Sequence, residues 1–217
     1  MTGRRAFLAQ LGVLAAATTF DAEELRAASA SADGPWDTSW LDRLASARFR
    51  VVFNASEVND GAVLSYAVSF LDDYHAVHGT TDHETRPVIV FRRLGTPMAV
   101  NDRLWERYAI GQDLKLNDPN THVPATRNVF WKPRNGASGL EAEMALEALH
   151  RRGLISLVCN HALGNWATRM AQRSHRDPDA VKAEARENLI PGAILVPSGI
   201  YGLIRAQNAG CAYMPGT

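Results

Sequence analysis

Five short apolar runs, each divided from the next by a segment of helical period, constrain this chain more than any other feature. The runs are Arg48–Ser56 (RFRVVFNAS), Arg86–Arg93 (RPVIVFRR), Leu154–Cys159, Gly192–Ser198 (GAILVPS) and a short last one, Cys211–Met214. They are rich in Val, Ile, Leu and Phe and are close to continuously apolar, the pattern of strands buried on both sides. Pro87 fits a strand only near its start, because it has no N–H to donate.

Between the first two runs, Val63, Tyr66, Ala67, Phe70, Leu71 and Tyr74 recur on one helical face, and Gly79 supplies the stop. Met98–Ile110 predicts a second helix, held to the sheet by Val100, Leu104, Trp105 and Tyr108. Ala142, Ala145, Leu146 and Leu149 predict a third, ended by Gly153. Further helices are expected from about Gly164 to Gln172, from Asp177-Pro178 to about Asn188, and after Ser198. In the last of these, Ile200, Leu203, Ile204 and Gln207 fall on one side.

Alternating strands and helices of this kind predict an α/β fold, a single three-layer sandwich with a mainly parallel sheet and helices on both faces. Crossovers between parallel strands are right-handed, which leaves few topologies open. At 46% apolar residues the chain can fill one core of this size. The domain is expected over 45–217. Residues 111–138 interrupt the alternation with a long Pro-containing loop carrying Arg127, Asn128, Phe130 and Trp131. Such a loop reads as a lid, a binding loop or an interface element, or equally as an insertion that covers a sheet edge.

The amino terminus has a different character. Arg4-Arg5 stand directly before Phe7-Leu8 and a short Ala-rich apolar stretch, a pattern that resembles a twin-arginine export signal. Small-residue cleavage sites follow at Ala28-Ser29-Ala30 and Ala30-Ser31-Ala32, so residues 1–32 are expected to be signal and linker and the protein periplasmic. No apolar run approaches the roughly 20 residues of a membrane helix, so no integral membrane segment is expected in the mature chain. Lys plus Arg and Asp plus Glu both number 23, which gives no electrostatic reason to expect nucleic acid.

Ligands of open α/β sheets gather at the carboxyl ends of the strands, and Cys159 ends its strand. A helix starting just after it would aim partial positive charge at the sulfur, with Asn160 and His161 near enough to donate a hydrogen bond or move a proton. A thiolate so placed could attack a sulfane sulfur or carry a persulfide. A buried strand-end cysteine that only fills space is the competing reading, and residue chemistry alone weights it more heavily.

Cys211 begins its strand, so in a parallel sheet it belongs to the opposite edge, beyond the roughly 7 Å reach of a disulfide with Cys159. Cys159 and His161, even with His150, His175 and Met170, lack zinc-type spacing, so no metal is expected. No nucleotide-binding glycine fingerprint, phosphate loop or serine nucleophile elbow occurs, and no cofactor is implied. Ser198 reads first as a helix cap.

The passages GLISLVCNHALG (153–164) and LIPGAILVPSGIYGLIRAQNAGCAYMPG (189–216), in this order of elements, resemble the DsrE/DsrF-like (YchN-like) family of sulfur-handling proteins. The resemblance spans roughly 48–216. It implies a flavodoxin-like sandwich assembling into trimers or hexamers, in which the strand-end cysteine accepts and passes on a persulfide. Cys159 matches that position. The function expected is a periplasmic persulfide carrier or sulfurtransferase, with Cys159, His161 and Asn160 as its chemistry and Arg127, Trp131 and Ser198 as substrate contacts. Its partners would be small sulfur species or a sulfur-relay protein. The alternative is a non-enzymatic small-ligand or metal-binding oligomeric module of the same fold.

Overall fold

A computed structural model describes residues 36–216. The expected export signal and linker, 1–32, lie wholly outside the described residues. Five strands, β1 (Phe49–Ala55), β2 (Thr85–Phe91), β3 (Ile155–Cys159), β4 (Ala193–Val196) and β5 (Ala212–Pro215), form one sheet in the order β4-β3-β2-β1-β5. Every pairing is parallel, with Val52 opposite Val88, Val88 opposite Ile155 and Val158 opposite Leu195. Pro87 is tolerated in this central strand because it pairs with Val51 of β1, while β3 begins to pair only at Val88.

The first three connections each step one strand in the same direction, and the last returns across the sheet to place β5 beside β1. Right-handed crossovers then put the first three on one face and the last on the other. The two cores follow this division. Val51, Phe53, Ala55, Ile89, Phe91 and Val158 pack with α2 (Ala62–His78), α3 (Asp102–Arg107) and α7 (Asn160–Ser174). The intervening residues Val52, Val88, Val90, Ile155 and Leu157 point the other way. They pack under α1 (Trp40–Ala45) and α9 (Gly199–Asn208), against Trp40, Leu44, Leu203 and Ala206. This is an α/β three-layer sandwich, and it begins ahead of residue 45, since Trp40 and Leu44 of α1 are fully buried.

Two of the expected helices are broken. Met98–Val100 are not α-helical: Pro97 sits in a 3₁₀ segment, Arg93–Ala99, and α3 starts only after Asn101, whose side chain accepts the Leu104 N–H. The chain turns again at Ala109 (φ 48°) before α4 (Ile110–Leu114). The third helix divides at Ala145 into α5 (Leu140–Glu143) and α6 (Leu146–Arg151). There the amides of Leu146 and Glu147 take the Phe130 and Trp131 carbonyls as acceptors, at 2.9 and 3.1 Å, in place of helical ones. By contrast α7 starts at Asn160, directly after β3, and α8 (Pro178–Glu187) starts as expected with Asp177 accepting the Ala180 N–H at 2.7 Å.

The long loop is docked, not open. Asn128 is buried, and its amide donates to the Met98 and Val100 carbonyls, both at 2.8 Å. Its own N–H donates to Asp102, and its Oδ1 accepts the Phe130 N–H. Phe130 meets Trp105 edge-on at 6.1 Å. The loop therefore belongs to the first helical layer.

Candidate functional site

The carboxyl ends of β2, β3 and β4 open into a cleft of about 580 Å³ lined by Arg92, Arg93, Cys159, His161, Arg169 and Ser198, with Leu94, Ala162, Asn165, Gly199 and Ile200 between them. Cys159 is its floor. The residue ends β3 and caps α7, and its Sγ accepts the Ala162 N–H at 3.3 Å. That is the geometry in which a helix amino end stabilises negative charge on sulfur. Only 6% of Cys159 is exposed, and that exposure faces the cleft.

A second helix amino end reaches the same cleft. Ser198 caps α9 by accepting the Tyr201 N–H at 3.0 Å, as the sequence reading expects, and it also lines the cleft. At Gly199 the fit is tight: a Cβ there would lie 3.0 Å from two carbons of Arg92 and 3.4 Å from Cys159 Cβ, so a side chain would have to push these neighbours aside. His161 is exposed on the lip.

Asn160, Arg127 and Trp131 are elsewhere. Asn160 Oδ1 accepts from Arg186 Nε at 3.1 Å, which holds its side chain against α8, and it does not line the cleft. Arg127 is paired with Asp118 at 2.5 Å and also donates to the Lys132 carbonyl, both inside the loop. Burial works to raise the Asp118 carboxyl, but the Arg127 and Asn120 hydrogen bonds outweigh it and hold the group below its ordinary range. Trp131 packs edge-on against His150 at 5.7 Å. His150 precedes β3, so this contact lies toward the amino edge of the sheet, away from the Cys159 rim. A loop built into the helical layer cannot also close over that rim, and no residue of 111–138 lines the cleft.

The residues that do join Cys159 are three arginines that sequence reasoning left without a role. Arg92 and Arg93 end the second apolar run, where strand-end position was itself the signal. Arg169 lies on α7, nearly three turns beyond the cysteine, and Asn165 lies between them. Arg92 donates to Asn54 Oδ1 at 3.3 Å, and Asn54 in turn donates to Tyr213 Oη at 3.1 Å. No carboxylate lines the cleft, and none of the three arginines has an ion pair among the described residues.

Both cysteines are free thiols. Cys211 lies at the amino edge of β5, and burial pushes its thiol up to about 11, with Arg50 opposing weakly. It is therefore a poor nucleophile near neutral pH. Among the described residues no three His, Cys, Asp or Glu side chains converge as a metal site would need, and no helix is long and apolar enough to cross a membrane.

No protein-family model matches the sequence, and no curated protein matches it. Among solved structures, a protein of unknown function from Methanobacterium thermoautotrophicum is similar, with a TM-score of 0.39 and 17% identity, over 77% of this chain and 98% of that one. The similarity bears on neither ligand nor chemistry.

Proposed function

We propose that the protein is a periplasmic sulfur carrier or sulfurtransferase in which Cys159 accepts sulfur as a persulfide and hands it to a small acceptor or a relay protein. The observation that carries this reading is the Cys159 sulfur itself, held at 3.3 Å from the Ala162 N–H on the floor of a cleft lined by arginine and free of carboxylate. Sulfur transfer needs an anionic sulfur that is fixed in place and reachable from one side. His161 on the lip is positioned to move a proton as sulfur leaves. Export rests on the Arg4–Leu8 pattern. Assembly as a trimer or hexamer is supported by apolar side chains left outside the fold, Ile200, Ile204, Tyr213 and Met214, which are 45–60% exposed.

The low exposure of Cys159 favours a second reading, a non-enzymatic module that binds a small anion in the same cleft with the cysteine as wall. Intact mass after polysulfide treatment separates the two. Sulfur transfer predicts a gain of one sulfur atom that reductant removes and that Cys159→Ser abolishes. A Cys159 that takes up no sulfur and resists alkylation until the protein is denatured would leave the binding module.

A further inference from the structure

Three arginines without ion-pair partners among the described residues line the cleft that holds Cys159. Arg92 and Arg93 reach the cleft from the end of β2, and Arg169 from α7. Elsewhere among the described residues several arginines are ion-paired, Arg127 with Asp118, Arg152 with Asp72, Arg173 with Asp113, and Arg107 and Arg176 with Glu184, whereas the cleft arginines are not. The cleft thus concentrates positive charge that no other described residue pairs, and two helix amino ends add to it with the same sign.

A polysulfide chain presents weak sulfur acceptors and makes little use of such a lining. Oxygen atoms on a compact dianion use it fully, because guanidinium N–H groups match oxoanions in pairs. The Asn54 contact fixes Arg92 through a neutral partner, so its charge is oriented without being cancelled.

We propose that the sulfur donor is a small oxoanion bearing a terminal sulfane sulfur, of the thiosulfate or thiosulfonate type, bound through Arg92, Arg93 and Arg169 with its outer sulfur toward Cys159. This deepens the sulfur-carrier reading and rests on it. The thiol proton is released to water, and the thiolate attacks the outer sulfur. A new S–S bond forms on Cys159 as the bond to the sulfonyl sulfur breaks, and the electron pair departs with the leaving group. For thiosulfate the balance is Cys–S⁻ plus S–SO₃²⁻ giving Cys–S–S⁻ plus SO₃²⁻, with charge conserved and no external oxidant.

The test compares two donors on the full chain, inorganic thiosulfate and an uncharged organic trisulfide, following persulfide on Cys159 by intact mass and sulfite in solution. With thiosulfate, sulfite should appear in step with persulfide. Substituting Arg93→Gln together with Arg169→Gln should lower the ratio of thiosulfate to trisulfide rates by about tenfold or more, and added salt should lower it in the wild type. Arg93→Lys with Arg169→Lys should recover part of the loss, which separates charge from folding. A ratio unmoved by the glutamine pair, or a wild type that loads from trisulfide and not from thiosulfate, would overturn the oxoanion and leave the carrier. Loading from neither donor would remove Cys159 as acceptor, and this inference with it.

Discussion

His150 and Ser156 are joined by a 2.7 Å hydrogen bond beside the amino end of β3, and Ser156 is fully buried. The imidazole also bonds to the backbone at Pro191. Burial, reinforced by the charge of Arg43, lowers its pKa from 6.5 to about 4, against a smaller upward pull from that backbone bond. Between these two values the unfolded chain binds a proton that the native state refuses, so stability is complete above pH 6.5 and declines as pH falls toward 4. The loss at pH 4 is about 3 kcal/mol from this one group. Denaturant unfolding at pH 7 and pH 4 should show it, and His150→Gln should be less stable at pH 7 but with a correspondingly flatter dependence on pH. An equal slope in the variant would assign the acid sensitivity to other groups.

Helix α9 shows how an element positions the cleft. Its buried face is Gly199, Gly202, Leu203 and Ala206, while Ile200 and Ile204 face outward at 60% and 51% exposure. Period alone put Ile200, Leu203, Ile204 and Gln207 on one side, and period does not say which way that side faces. In the fold the small residues turn inward and let the helix lie close on the sheet: a Cβ on Gly202 would already touch Leu157 at 3.3 Å. Gly199→Ala should therefore keep the fold and displace Arg92 and Cys159, lowering sulfur loading by about tenfold, whereas Gly164→Ala in α7, where a Cβ meets nothing within 4 Å, should raise stability by up to about 1 kcal/mol and leave loading within about twofold. Melting curves and loading rates on both variants check this; equal loading would mean that Gly199 serves packing alone. The strands were legible because runs such as Val88–Phe91 admit few other fates. The helix breaks were not, since the division at Ala145 depends on carbonyls of Phe130 and Trp131 brought in from a distant loop. Cys159 and Ser198 were legible from their places at strand ends. The place of Arg127 and Trp131 was not legible, because a long loop with aromatic and basic residues reads equally as a lid and as a cover for a sheet edge; the satisfied, buried Asn128 shows that it is docked.

At the scale of the whole molecule the two sheet faces are covered unequally. Among the described residues the first carries the helices of three connections and the long loop, and the second carries α1 and α9. Helix α1 is short, yet Trp40 and Leu44 are fully buried over Val52, Val88 and Ile155. The sheet rigidly sets Cys159 against Arg92, so uncovering one of its faces should reach the cleft through the strands. Both candidate cleavage sites, after Ala30 and after Ala32, would leave α1 in the mature chain. A chain begun at residue 33 should therefore unfold at the same denaturant concentration as one begun at residue 36, and one begun at residue 46 should be far less stable. Trp40→Ala alone should cost about 3–5 kcal/mol. Denaturant midpoints of the three truncations and this variant give the comparison. If the chain begun at residue 46 keeps its midpoint, α1 is an accessory to the second face, and α9 alone is enough to seal the sheet beneath the cleft.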